Sequence, residues 1–287
     1  MVNKAHHQYR TEKVVEHLET INCNLCGSEE TEPFLTLDGF SYGKCIHCGL
    51  VYQNPRPVFG DLKKRYGENY FDYEYTNRNN FFNLMKLGLR DVGFDSLFSN
   101  VQENKSFLDV GCATGLLLNH MKSKGWECHG VEICRESAEY GITQFGLDIF
   151  IGTLNEASFP DASFHAVHLS HLIEHVPDPT ALLLEIRRIL RPEGYMVLTT
   201  PNVSGVQARI AGKNWRSAIP DHVYLFSKET MKKLLRKTGF EILKQISWGG
   251  IPAGKRPDFI KKPADRCAKL FNIGDVMLFS CTPYRAR

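Results

Sequence analysis

The chain has 287 residues, 43% of them hydrophobic, and a formal net charge of +3. That is apolar material for one large domain, or a medium domain with a small companion, and too little charge to argue on its own for a nucleic-acid or membrane-surface partner. No stretch approaches the ~20 apolar residues of a membrane span, and MVNKAHHQYRTEKVVEHLE lacks the apolar core of a secretory signal, so nine cysteines point to a reducing, cytoplasmic setting and a metal site in place of disulfides.

Residues 1–20 read as a tail or a loose amphipathic helix. Residues 21–57 carry Cys23-x-x-Cys26 and Cys45-x-x-Cys48, with residues 27–44 between the pairs. This is the spacing of a zinc ribbon, two knuckles on two hairpins. Gly27 and Gly49 follow the knuckles and let backbone N–H groups turn toward the sulfurs. Four thiolates fill a tetrahedral Zn2+ and leave no position for water, so the expected role is structural. A segment this short cannot bury enough apolar surface to fold alone, and metal binding supplies the difference. His47 reads as a solvated neighbour; Cys112, Cys128, Cys134, Cys267 and Cys281 read as small core residues.

Residues 58–102 are helical and rich in aromatics (YGENYFDYEYTNRNNFF), which suits a lid over a ligand and equally suits packing onto the main domain. From residue 105 onward strands alternate with helices, the pattern of a mostly parallel sheet. Strands are expected near 106–110, 127–132, 148–151, 164–169, 194–200, 240–248 and 275–283. Asp178-Pro179 opens the helix TALLLEIRRIL as N-cap and first turn, and Ser227 and Gly239 bracket KETMKKLLRKT.

The most informative stretch is FLDVGCATG at 107–115, an apolar strand, then Asp109, then a glycine turn running straight into a leucine-rich helix. Gly111 and Gly115 allow close backbone approach to a ligand. The turn is D-x-G-x-A-x-G, which lacks the G-x-G-x-x-G of a pyrophosphate site, and a carboxylate there suits a cationic or amino-bearing ligand. Glu132 ends the next apolar run, about 20 residues on, where an acid can bind a ribose diol.

These residues resemble the first motif of class I S-adenosylmethionine-dependent methyltransferases, and the similarity extends over residues 103–287. PDASFHAVHLSHLIEHVPDP resembles the family's fourth-strand region and LRPEGYMVLTTPN its fifth strand with the preceding loop. The family usually has glycine where Ala113 stands; a Cβ there costs about 1 kcal/mol if φ is positive. CNLCG…CIHCGLVYQNPRP resembles the amino-terminal zinc ribbon found ahead of some bacterial methyltransferases, several of which act on sugars or other small polar metabolites. The resemblance implies an α/β, Rossmann-like seven-stranded sheet, mostly parallel with one antiparallel strand near the C-terminus, preceded by the ribbon and a helical lid.

It also implies site roles. Asp109 would sit near the amino-acid end of S-adenosylmethionine, with Gly111, Cys112, Ala113 and Gly115 bordering the cofactor. Glu132 would take both ribose hydroxyls, Ile133 would face adenine, and Thr153 and Leu154 would flank its edge. Ser170 and His171, at the end of the fourth strand, would open onto the cleft. For a hydroxyl acceptor a histidine base helps, and the candidates are His171, His175 and His222, of which His222, in a loop expected to line the acceptor pocket, is favoured. Tyr70, Tyr73 and Tyr75 could close over the acceptor; Trp215 and Tyr224 could wall the pocket or merely pack.

The reading is thus a methyltransferase for a small-molecule acceptor, expected to methylate oxygen on a sugar, quinone-like or polyketide-like metabolite. Sugar carbon-methyltransferases with such a ribbon usually carry a further carboxyl-terminal domain, and because this sequence stops after the final strand, carbon methylation of a sugar is the less expected activity. One rival is an RNA methyltransferase gripping its substrate with the ribbon. The ribbon's few basic residues and its acidic SEETE patch argue against nucleic acid, while the basic 255–269 segment argues for it. Another rival is a partner protein that binds the cofactor without turnover.

Overall fold

In a computed structural model of the protein, residues 16–99, 101, 104–250 and 258–284 are described. The amino-terminal tail therefore lies mostly outside the described residues, and so does most of the basic stretch before residue 258.

The ribbon comprises β1 (Leu18–Glu19), β2 (Thr31–Leu37), β3 (Phe40–Cys45), β4 (Val51–Gln53) and β5 (Arg56–Pro57). β1 pairs antiparallel with β5, so the described end of the stretch expected to be helix or tail carries a short strand. Helices α1 (Phe59–Lys63), α2 (Glu68–Val92) and α3 (Phe94–Leu97) follow. The main sheet is built from β6 (Ser106–Val110), β7 (Glu127–Glu132), β8 (Asp148–Ile151), β9 (Phe164–Ser170), β10 (Leu190–Pro201), β12 (Phe240–Trp248) and β13 (Val276–Pro283). Its order is β12-β13-β10-β9-β6-β7-β8. The pairs among β10, β9, β6, β7 and β8 are parallel, and β13 runs antiparallel between β10 and β12. This is the expected seven-stranded, Rossmann-like sheet with its one reversed strand. The order places β6 and β9 side by side at the centre, so the loops after them meet at one edge, where open α/β sheets bind ligands.

Local chemistry explains the elements. The Asp178 carboxylate accepts from the Ala181 N–H at 2.9 Å, and Pro179 fills the first turn of the helix Pro179–Ile189 (α7). That helix buries Leu182, Leu183, Ile186 and Ile189 on the sheet. Ser227 and Thr230 form a reciprocal cap on Lys228–Lys237 (α9), which turns lysines outward and buries Met231, Leu234 and Leu235. Burying each such side chain contributes roughly 2 kcal/mol. β10 begins at Leu190, four residues before the expected start, because Leu190 pairs with Phe164 before an irregular Arg191–Gly194 segment restores register at Tyr195.

Two cores flank the sheet. One joins Leu89, Val92, Phe94 and Phe98 of the α2–α3 region to Phe107, Trp126 and Leu278, so the second half of the expected lid is fixed packing. The other runs from ribbon residues Cys23, Cys45, Leu50 and Tyr52 through Tyr224 and Phe226 to Met231 and Leu234. Cys267, expected in the core, is exposed. No helix among the described residues is long and apolar enough to cross a membrane.

Candidate active site

A cleft of about 520 Å³ opens at the ends of β6, β7, β8 and β9, beneath α2 from Tyr70 to Met85. The volume is in the range of a drug-sized or cofactor ligand. Gly111, at φ 73°, begins the turn, and a Cβ there would lie 3.2 Å from Leu172. Ala113 adopts φ 47°, so the conformation in which a Cβ is costly is the one present. Its N–H donates to Glu132 Oε2 at 2.8 Å, while the Cys134 N–H donates to Oε1 at 2.8 Å. The carboxylate of Glu132 thus pins the glycine turn and keeps further acceptor capacity at the cleft wall, since each carboxylate oxygen accepts more than one bond. Burial pushes the Glu132 carboxyl up, and the N–H groups of Cys134, Ala113 and Ile133 pull it back.

Gly111, Cys112, Ala113, Glu132, Ile133, Thr153, Leu154 and Ser170 all line this cleft. The Thr153 N–H and hydroxyl are committed to Glu156 Oε2, at 2.7 and 2.8 Å, so this residue offers a ligand its shape more than its polar groups. Asp109 and Gly115 lie off this lining. The Asp109 side chain is buried beside its cross-strand neighbour, with Oδ1 2.7 Å from His168 Nδ1, and is not part of the cleft lining. Burial raises its pKa against the pull of His168. Gly115 starts the helix Leu116–Ser123 (α4), and a Cβ there would meet Leu147 at 2.5 Å. Its glycine serves helix packing.

The lid contributes Tyr66, Tyr70, Tyr73, Glu74, Phe81, Leu84 and Met85. Tyr75 instead packs edge-on against Tyr140. Glu74 is a site residue that sequence reading missed: burial and the charge of Glu132 push its carboxyl up to about 7. Because that pKa is raised above the ordinary value of 4.5, its contribution to stability is present at low pH and is lost as pH rises through about 7. A cationic ligand reverses the preference by favouring the ionised carboxylate. Affinity for a cationic cofactor should therefore tighten as pH rises through about 7, and calorimetry on Glu74→Gln should find that slope gone. An equal slope in the variant would remove Glu74 from the site.

Three histidines and one glutamate gather at the ends of β9 and of the loop before residue 224. His171 adopts φ 52°, unusual for a non-glycine residue, and its N–H is held by Thr199 O at 2.9 Å. Its Nδ1 lies 3.2 Å from Glu174 Oε1, and Glu174 Oε2 accepts the Thr200 hydroxyl at 2.9 Å. Burial works against the Glu174 charge, but the His171 hydrogen bond and the neighbouring imidazoles outweigh it and bring the carboxyl to about 2. His175 Nδ1 lies 2.9 Å from Asp221 O and His222 Nδ1 2.8 Å from Ser217 O. The His175 and His222 rings are 4.6 Å apart at 83°. Burial and the proximity of His175 hold the His222 imidazole down to about 3. His171, His175 and His222 all line the cleft.

A family model described as a methyltransferase domain matches residues 89–245, more than half of the chain. The chain belongs to the S-adenosylmethionine-dependent methyltransferases. It is similar to a ubiquinone biosynthesis O-methyltransferase of Idiomarina loihiensis, 27% identical over 193 residues, covering 64% of this chain and 77% of the relative. It is also similar to one of Xanthomonas oryzae pv. oryzae, 33% identical over 101 residues, covering 33% of this chain and 42% of the relative. The latter match spans less than half of that relative's length. Among solved structures it resembles a SAM-dependent methyltransferase of Archaeoglobus fulgidus (TM-score 0.55, 22% identity, 75% of this chain and 100% of that one). A further structural likeness is to a SAM-dependent methyltransferase, possible histamine N-methyltransferase, of Thermotoga maritima (TM-score 0.54, 22% identity, 74% and 98%). At these identities the structural likeness speaks for the fold.

The methyltransferase carries its four-cysteine cluster where the spacing placed it. Cys23 and Cys48 sulfurs are 3.4 Å apart, Cys26 and Cys45 sulfurs 3.5 Å, and all four lie within 4.8 Å of one another. A tetrahedral zinc with Zn–S bonds of about 2.3 Å has sulfur–sulfur edges of roughly 3.8 Å, so the donor set fits that ion. The Gly27 and Gly49 N–H groups close the knuckles onto Cys23 O and Cys45 O.

The ribbon is not a separate appendage of this methyltransferase. β11 (Tyr224–Leu225), from the main domain, adds to the ribbon sheet, whose order is β11-β4-β3-β2. The His222 carbonyl accepts from Tyr42 OH at 2.8 Å and Gln53 Nε2 at 3.0 Å. Arg56 donates to Pro177 O at 2.7 Å and Tyr224 OH at 2.9 Å. Tyr224 and Trp215 are therefore packing residues, the latter donating to Asp275 at 2.6 Å. The two basic residues of the ribbon are engaged, Lys44 with Glu32 and Arg56 with Glu19, which weakens the case for an RNA phosphate grip.

Proposed function

We propose that this methyltransferase moves the methyl group of S-adenosylmethionine to a hydroxyl oxygen of a small, ring-bearing acceptor. The observation that carries the reading is the His171–Glu174 dyad at the cleft. A carboxylate that accepts from Nδ1–H leaves Nε2 as the proton acceptor, the arrangement of an oriented general base. His222 is the weaker base despite its place in the pocket, because an imidazole held near 3 has little appetite for a proton at neutral pH.

S-adenosylmethionine supplies an electrophilic sulfonium methyl. The protein's task is to orient, to exclude water and to take a proton. Glu132 and the Gly111–Ala113 turn hold the nucleoside end. His171 Nε2 takes the acceptor's O–H proton, the freed electron pair forms the oxygen–carbon bond, and the carbon–sulfur pair stays on sulfur. The wall of Tyr66, Tyr70, Tyr73, Phe81, Leu84 and Met85 favours a flat apolar acceptor over a sugar, consistent with relatives named for O-methylation in ubiquinone biosynthesis. Zn2+ in the four-cysteine cluster completes the reading as a structural ion.

The test is methyl transfer from labelled cofactor to a panel of phenols and glycosides. Phenols should be methylated at oxygen, and His171→Ala should slow transfer by about 10²–10⁴-fold without changing cofactor affinity. Transfer only to nitrogen, or a wild-type rate in His171→Ala, would sink the reading.

A further inference from the structure

We infer that Glu174, His175 and His222 form a second metal site, distinct from the four cysteines, that takes a divalent first-row ion at the acceptor end of the cleft. One ligand atom from each of the three lies within 4.8 Å of the others, a few tenths of an ångström from the roughly 4.4 Å that one ion spans at most with bonds of about 2.0–2.2 Å, so a small closing of the side chains brings all three onto one ion.

The hydrogen bonds prepare these residues as ligands. Backbone carbonyls only accept, so His175 Nδ1, beside Asp221 O, and His222 Nδ1, beside Ser217 O, must carry the protons. That fixes the lone pair of each ring on Nε2. Imidazoles that bind metals almost always donate the other ring N–H to a carbonyl or carboxylate in this way, which sets tautomer and ring angle. The two rings stand at 83° with centroids 4.6 Å apart, too steep to stack. Glu174 is nearly fully buried, and its two oxygens are steadied by His171 and Thr200, leaving further lone pairs for an ion. The carbonyls that aim the rings belong to the loop that Tyr42 and Gln53 of the ribbon hold in place.

Two imidazoles and one carboxylate are the donor set of an open site for Zn2+, Co2+, Mn2+ or Fe2+, and a poor one for Mg2+ or Ca2+, which want oxygen. Three protein ligands leave positions for an oxygen of the acceptor, and an oxygen so bound gives up its proton more readily. His171, outside the ligand set, stays available to take that proton. The assignment of a role in transfer rests on the reading of the cleft as a hydroxyl-methylating site; the binding of the ion does not.

The experiment uses the full chain, zinc-loaded at the cysteines and then treated with a chelator to clear weaker sites, titrated with Co2+. One further equivalent should bind, with the weak visible bands of nitrogen and oxygen ligands and no thiolate charge-transfer band. His175→Ala and His222→Ala should each weaken that binding at least tenfold. In wild-type protein the paramagnetic ion should broaden the His175 and His222 ring resonances, a reading that needs no variant. Absence of the further equivalent, undisturbed ring resonances, or wild-type Co2+ affinity in the variants would overturn the site. If Co2+ binds as expected and no hydroxyl acceptor is methylated, the acceptor reading fails and the metal site stands.

Discussion

Glu132→Ala should lose S-adenosylmethionine binding, by at least about 100-fold in calorimetry. A charge-assisted hydrogen bond is worth about 1.5–3 kcal/mol, and on the proposed reading two ribose hydroxyls would each lose one. A second loss adds to the first. The same carboxylate receives the N–H of Ala113, which holds a residue at φ 47°, so the variant frees the turn to leave a strained conformation. Glu132→Gln should fall between the two, because its amide offers one acceptor oxygen where the carboxylate offers two. Gly111→Arg should also abolish binding, since φ 73° and the nearby Leu172 leave no room for a side chain. Wild-type affinity in Glu132→Ala, with a native circular dichroism spectrum, would end the assignment of this cleft to the cofactor.

Cys45→Ser should cost the protein its ribbon zinc and nearly all methyl transfer, with a much smaller effect on cofactor affinity. A structural Zn2+ contributes about 10–16 kcal/mol of apparent binding free energy, more than the ribbon's small core can replace. Without it β3 and β4 lose their anchor, and with them go the hydrogen bonds from Tyr42 and Gln53 to the His222 carbonyl. The end of the cleft proposed for the cofactor rests on β6, β7 and β8, which the ribbon sheet does not join. The measurements are zinc content, single-turnover transfer and calorimetric affinity on the same preparation. Unimpaired transfer from zinc-free protein would show the ribbon to be irrelevant to catalysis.

The central strands β6 and β9 were legible because each is buried along nearly its whole length and reads as a mostly apolar run closed by a turn residue. The Leu190 start of β10 was not, because Pro192-Glu193-Gly194 spells a turn and only pairing with Phe164 makes the preceding residue a strand. The cysteine knuckles were legible from spacing. β11 was not, since two residues have no period and their partner is given by tertiary contact. Within the site, Glu132 and the glycine turn declared themselves locally. The pairing of Asp109 with His168 was not legible, because the two face each other only once the strands are in register. Glu174 stood unremarked between two histidines, and Glu74 lies on a helix whose approach to Glu132 no local pattern encodes. Choosing among His171, His175 and His222 needed hydrogen-bond partners, which are properties of the fold.

The strand shared between the ribbon and the main domain has a consequence for synthesis. All four sulfurs lie within residues 23–48, so a nascent chain could capture an ion early through contacts close in sequence. The outer strand of that same sheet arrives only with residues 224 and 225, after most of the parallel sheet has been made. The early hairpins must therefore wait with one edge unpaired, and an exposed edge is a template for foreign strands. If the cluster takes the zinc proposed for it, hairpins made without the ion would be less ordered while that edge stands open, and shortage of zinc should show first as aggregated new chains.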